Sequence, residues 1–132
     1  MVKKKLVLII DDNEDFQNLY GMVAEQSGFE VDRAYDGREA LERLEREPIP
    51  TIVLLDSRLP HASGDEILLA ARAHEKWFGV PIYVITADLR GAQRLRTFAP
   101  GAPHADGVIE KGAESIRMLR ELFEKYREKP EG

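Results

Sequence analysis

The sequence predicts an α/β protein in which a five-stranded parallel sheet is covered by helices on both faces. Three apolar runs carry this reading, each ending on polar residues. Leu6-Val7-Leu8-Ile9-Ile10 stops at Asp11-Asp12, Ile52-Val53-Leu54-Leu55 at Asp56, and Ile82-Tyr83-Val84-Ile85 at Thr86. Strands buried on both faces read as unbroken apolar runs, whereas one wet face imposes alternation. Helical spacings separate the runs, so strand and helix alternate as right-handed crossovers require. Ligands of open α/β sheets bind beyond the carboxyl ends of the strands, where these polar groups would gather.

From Asn13 to Gln26, Phe16, Leu19, Tyr20 and Val23 fall at i, i+3, i+4 and i+7, the stripe of a helix packed on a sheet, and Gly28 stops it. Phe29 to Ala34 alternates and is placed at a sheet edge. Asp36-Gly37-Arg38-Glu39 and Ser63-Gly64-Asp65-Glu66 have capping-box spacing. The first opens a helix carrying Ala40, Leu41 and Leu44 that Pro48 and Pro50 end; the second opens one carrying Ile67, Leu68 and Ala71 that runs to His74. Past Thr86 a short helix is expected between Leu89 and Phe98, with a long loop holding Pro100, Gly101 and Pro103. Gly107 to Glu110 forms a brief fifth strand, and Ile116, Leu119, Phe123 and Tyr126 mark the last helix. Trp77 and Phe78 read as packing residues.

Composition sets limits on function. A chain of 132 residues, 43% hydrophobic and 33% charged, suits one soluble domain with its own core. The expected domain is a single unit over 1–132, with a core over 5–126 and a frayed tail over 127–132. The net charge of -5 argues against a nucleic-acid partner, and the absence of cysteine excludes disulfides and thiolate-zinc sites. That fits a cytoplasmic setting. No run approaches the roughly 20 apolar residues of a membrane span.

The strand-end residues suggest a chemistry. Asp11, Asp12 and Asp56, gathered at neighbouring strand ends, would repel one another unless a cation intervened. Magnesium suits a small open acidic site, because it takes one or two carboxylates and readily bridges to phosphate. A carboxylate there can also act as a nucleophile and form an acyl phosphate. Phosphoryl transfer needs donors and positive charge around the phosphoryl oxygens, for which Thr86 offers a hydroxyl and Lys111 an ammonium. A plainer reading has Asp11 and Asp12 capping the first helix and Asp56 opening a turn.

Asp11-Asp12 after the first strand, Asp56-x-x-x-Pro60-x-x-x-Gly64 after the third, Thr86-Ala87 after the fourth and Lys111 after the fifth resemble a receiver domain of a two-component response regulator, of the chemotaxis-regulator type. The resemblance spans nearly the whole chain. It implies a flavodoxin-like, three-layer doubly wound fold with strand order 2-1-3-4-5. It also implies that Asp56 is the phosphoacceptor and that Mg2+ is held by Asp12, by Asp56, by Asp11 acting mainly through water, and by the Arg58 backbone carbonyl. Thr86 resembles the switch hydroxyl, Ala87 a position kept small for donor entry, and Lys111 the cation that pairs with the phosphoryl group. Arg58 and Asp88 resemble pocket-mouth positions that influence hydrolysis, and their opposite charges predict a salt bridge across the entrance. The implied partners are a histidine kinase or phosphotransfer protein as donor and a downstream protein or output domain as target. A homodimer through the fourth helix, fifth strand and fifth helix is a further implication. No catalysis is expected beyond the domain's own phosphoryl transfer and hydrolysis.

Three departures from the family pattern fall on its usual signalling surface. Gly112 rather than proline follows Lys111, Val108 stands where an aromatic residue is usual, and the stretch from Thr86 to Lys111 is long. Two rivals stand beside the receiver reading. A haloacid-dehalogenase-like phosphatase would carry a second Asp where this chain has Arg58. A receiver-shaped scaffold would bind partners without phosphorylation; the complete set of Asp11, Asp12, Asp56, Thr86 and Lys111 disfavours it, while Val108 and Gly112 keep it open. With no room for an output domain in 132 residues, the chain is expected to be a stand-alone receiver or part of a longer regulator.

Overall fold

The structure, a computed structural model, describes residues 5–92 and 104–128. Its elements run β1 (Lys5–Ile10), α1 (Glu14–Gln26), β2 (Phe29–Ala34), α2 (Gly37–Arg43), β3 (Ile52–Asp56), α3 (Gly64–Ala73), β4 (Ile82–Thr86), α4 (Leu89–Ala92), β5 (Gly107–Glu110) and α5 (Ser115–Glu128). Every neighbouring pair of strands is parallel, in the order β2-β1-β3-β4-β5. The alternating β2 is therefore an edge strand, as its sequence predicts, and all of β3 is buried.

Successive strand residues point to opposite faces, so each apolar run feeds two cores. Leu8, Ile10, Val53, Leu55, Ile82 and Val84 pack with Ala40 of α2, Leu44 just after it, and Ile67, Leu68 and Ala71 of α3. Val7, Ile9, Ile52, Leu54, Ile85 and Ile109 pack under Tyr20 and Val23 of α1 and Leu119, Phe123 and Tyr126 of α5. Trp77 is buried in the first core, but Phe78 is 63% exposed, because only one of these adjacent side chains can face inward from the turn they share.

The helix starts follow their capping residues. Asn13 accepts the Phe16 N–H at 3.0 Å, Asp36 the Glu39 N–H at 2.8 Å and Ser63 the Glu66 N–H at 3.2 Å. Glu39 reaches back to the Tyr35 N–H, one residue before the cap. Gly28 ends α1 with φ +91, a backbone conformation open to glycine.

Two glycines set the loops that carry the site. Gly37 donates its N–H to the Pro60 carbonyl at 2.9 Å, and a Cβ there would collide with Ala62. The start of α2 thereby closes on the loop leaving β3. A Cβ on Gly64 would lie 3.1 Å from the Ser57 Cα, so the first turn of α3 approaches the backbone beside Asp56.

Two boundaries differ from expectation. Arg127 and Glu128, expected in a frayed tail, belong to α5, which continues through Glu128; the rest of that tail, 129–132, lies outside the described residues. Arg127 donates to the Ser27 carbonyl at 3.4 Å and pairs with Glu128 at 3.1 Å, contacts that hold the last turn. Helix α2 stops at Arg43, whose guanidinium meets Asp32 at 2.6 Å and the carbonyls of Arg46 and Pro48, using the following loop as its cap. Of the helix and loop expected after Thr86, residues 93–103 lie outside the described residues, and α4 is described over Leu89–Ala92. No helix among the described residues is long and apolar enough to cross a membrane.

Candidate functional site

Parallel strands all point the same way, so their last residues share one end of the sheet. Asp11 follows β1, Asp56 closes β3, Thr86 closes β4 and Lys111 follows β5. One carboxylate oxygen from each of Asp11, Asp12 and Asp56 lies within 4.8 Å of the others. Asp11 and Asp56 are buried and Asp12 is exposed. Capping does not explain this cluster, because Asn13 caps α1 and the backbone N–H that Asp11 accepts is that of Asn13, at 2.9 Å, outside the helix.

Lys111 enters the cluster from β5. Its ammonium stands 3.0 Å from Asp11 Oδ2 and 3.3 Å from Asp56 Oδ2, with all three side chains at most 10% exposed. Asp56 Oδ1 accepts the Arg58 N–H at 3.1 Å. Burial pushes the Asp56 carboxyl above its ordinary range; the Arg58 N–H opposes this, Asp11 adds to it and Lys111 pulls it back, leaving a net rise. Burial works against the charged form of Lys111 too, but the two carboxylates outweigh it and raise its pKa. One ammonium thus offsets part of the repulsion between two buried carboxylates and leaves the rest. All donors are carboxylate oxygens, a set that suits a hard divalent cation.

At the next strand, Thr86 is buried and its hydroxyl has two partners. It accepts the Asp88 N–H at 2.9 Å and lies 2.7 Å from the Ser57 hydroxyl. One residue beyond Ser57 and two beyond Thr86, Arg58 Nη2 meets Asp88 Oδ2 at 2.7 Å, a pair that stays open to solvent on the Arg58 side. The β3–α3 and β4–α4 loops are therefore tied together twice above Asp56. Ala87 is exposed beside them. Val108 lies opposite Val84 and packs with the α2–α3 core, while the aromatic residue of this edge, Tyr83, sits on the other face. The Tyr83 ring covers Gly107, and its hydroxyl bonds that of Tyr126 at 2.9 Å.

The structure adds three residues that sequence reasoning missed at this site. Ser57 carries no motif of its own. Phe16, read only as part of the α1 stripe, places its ring 4.1 Å from the Lys111 ammonium and stacks on Tyr20. Gln17 is fully buried and its amide nitrogen lies within 3.1 Å of the carbonyls of Ile9, Asp11 and Ala34, fixing the end of β1 where the acidic pair begins. A polar residue inside the apolar stripe of α1 was the available signal for Gln17.

The family model for the response regulator receiver domain matches residues 7–123. The chain belongs to the receiver-domain family. The polar-differentiation response regulator DivK of Brucella ovis is 37% identical over 83 residues, which cover 63% of this chain and 67% of DivK. The phosphate regulon transcriptional regulatory protein PhoB of Rhizobium meliloti is 33% identical over 125 residues, 95% of this chain and 54% of PhoB. A solved receiver domain of a sensor histidine kinase from Pseudomonas aeruginosa PAO1, with magnesium coordinated in its active-site cleft, shares the flavodoxin-like fold. It matches with a TM-score of 0.80 at 23% identity, covering 96% of this chain and all of that one. The molecule is thus a phosphoacceptor signalling domain of two-component systems, with an acidic pocket at the expected end of its sheet.

Proposed function

We propose that Asp56 is the phosphoacceptor of this receiver, and that the observation carrying the assignment is the Lys111 ammonium held between Asp56 and Asp11. An Asp56 oxygen attacks the phosphorus of a phosphohistidine on a histidine kinase or phosphotransfer protein. The phosphorus–nitrogen bond breaks, and the imidazole leaves with a proton. Lys111 and Thr86 bind phosphoryl oxygens, and Ala87 leaves room for the donor. A divalent cation, which we take to be Mg2+, would be held by Asp11, Asp12, Asp56 and the Arg58 carbonyl, and would supply positive charge against the phosphoryl oxygens. The domain turns over no external substrate and acts in the cytoplasm. Its signal passes to a downstream protein, an output domain or a second copy through α4, β5 and α5, and a groove of about 420 Å³ on the β5 and α5 part of that surface, lined by Tyr83, Val108, Met118 and Leu122, supports the reading.

With magnesium and a small acyl-phosphate donor, the expected result is a mass gain of one base-labile phosphoryl group that Asp56→Ala abolishes. No gain with any donor would favour the receiver-shaped scaffold instead.

The Arg58–Asp88 pair is proposed to slow dephosphorylation by covering the pocket mouth, since hydrolysis needs a water in line with the acyl-phosphate bond. An exposed pair is worth at most about 1 kcal/mol, so Arg58→Ala and Asp88→Ala should each speed phosphate loss by up to about fivefold. The double mutant should be no faster than the quicker single one. Additive effects on the logarithm of the rate, or no acceleration, would count against the gate.

A further inference from the structure

We propose that Ser57 is a latch on the switch hydroxyl, a positioning residue that competes with the phosphoryl group for Thr86. The proposal rests on the phosphoacceptor reading above. Its basis is the 2.7 Å contact between the Ser57 and Thr86 hydroxyls. Thr86 is 1% exposed and already accepts the Asp88 N–H, so its own proton needs an acceptor inside the protein. Among the described residues, the Ser57 oxygen is the acceptor in reach. Ser57 is half-buried and can give its own proton to water. The arrangement that satisfies both groups therefore has Thr86 donating to Ser57.

A hydroxyl has one proton to give. To bond a phosphoryl oxygen on Asp56, Thr86 must release Ser57, which water then resolvates. The Ser57 contact thus stabilises the unphosphorylated arrangement and weakens phosphoryl binding by the same factor. In this chain the contact also replaces a missing constraint. Val108 brings no aromatic ring to couple to Thr86, so the state of the switch is set between two loops, by a residue adjacent to the phosphoacceptor. Ser57 also lies where the backbone is pinned by Gly64, which fixes its hydroxyl relative to β4.

The test is calorimetric titration of beryllofluoride, with magnesium, into the wild type, Ser57→Ala, Ser57→Thr, Thr86→Val and the Ser57→Ala/Thr86→Val double variant. Ser57→Ala should bind roughly two- to tenfold more tightly than wild type, the range expected for one released hydrogen bond. Ser57→Thr keeps the hydroxyl and should restore the wild-type affinity. The gain from Ser57→Ala should vanish in the Thr86→Val background, which a purely structural role of Ser57 would not produce. Unchanged or weaker binding by Ser57→Ala, or an equal gain without the Thr86 hydroxyl, would overturn the latch while leaving wild-type binding intact. Failure of the wild type to bind beryllofluoride and to accept phosphate would instead overturn the phosphoacceptor reading, and the latch with it.

Discussion

Lys111→Met should lower the melting temperature of the metal-free protein by about 10 °C, and added magnesium should recover most of that loss. The ammonium is the positive charge set between the buried carboxylates of Asp11 and Asp56. Methionine keeps an unbranched apolar side chain and removes the ammonium, and with it the contacts to both carboxylates and to the Phe16 ring. Breaking a buried pair leaves the partner charges uncompensated, a loss of about 3 kcal/mol, which in a chain of this size corresponds to the stated shift. The same substitution removes a competitor for the cation. Magnesium should therefore bind the variant more tightly and stabilise it more than it stabilises the wild type. Thermal melts with a chelator and with millimolar magnesium check both halves. A metal-free melting temperature within a degree or two of wild type, or a magnesium shift no larger than the wild-type one, would contradict the charge balance.

Much of this site was legible because a parallel sheet converts sequence order into position. Each apolar run ends on the residue that the strand delivers to the site, so Asp11, Asp56 and Thr86 could be placed together without knowing any side-chain contact. Lys111 followed from the same logic after β5. The Arg58–Asp88 pair was legible for a related reason, since opposite charges stood at equivalent distances past two neighbouring strands.

What escaped depends on how loops cross and pack. Ser57 is one serine among several in the sequence, and only the closeness of the β3–α3 and β4–α4 loops brings it to Thr86. Gly37 was readable as part of a capping box, but its approach to Ala62 comes from packing between elements distant in sequence. The last turn of α5 was lost for the same reason. Local composition there is polar and suggests fraying, yet Arg127 is held by the carbonyl of Ser27, a hundred residues earlier. Propensity reasons over neighbours in sequence, and none of these contacts is between such neighbours.

Asp56→Asn should raise the melting temperature of the metal-free protein near neutral pH, by about 3 °C or more, the shift that roughly 1 kcal/mol produces at this chain length. Burial is the largest influence on this carboxyl and lifts its pKa above the ordinary range; the Arg58 N–H and Lys111 do not fully reverse the rise, to which Asp11 contributes. The folded state therefore binds the Asp56 proton more tightly than the unfolded state does. The stability contributed by the protonated group is fully present below the unfolded carboxylate range and is lost as pH rises through the higher, folded-state pKa. At neutral pH the wild type has lost it. Asparagine keeps the shape of the neutral acid and cannot ionise, and Lys111 retains Asp11 at 3.0 Å. The difference between the two proteins should accordingly narrow on acidification, as wild-type Asp56 takes up its proton. Adding magnesium should also narrow or invert it, because the wild type gains a cation that the variant, one carboxylate short, holds less well. Melts in chelator from about pH 8 down to about pH 4 measure the first trend, and a magnesium titration at neutral pH the second. A lower melting temperature for Asp56→Asn at neutral pH, or a gap that widens as the solution is acidified, would mean that Lys111 fully compensates the buried carboxylate and that the acidic site stores no repulsion for a cation to relieve.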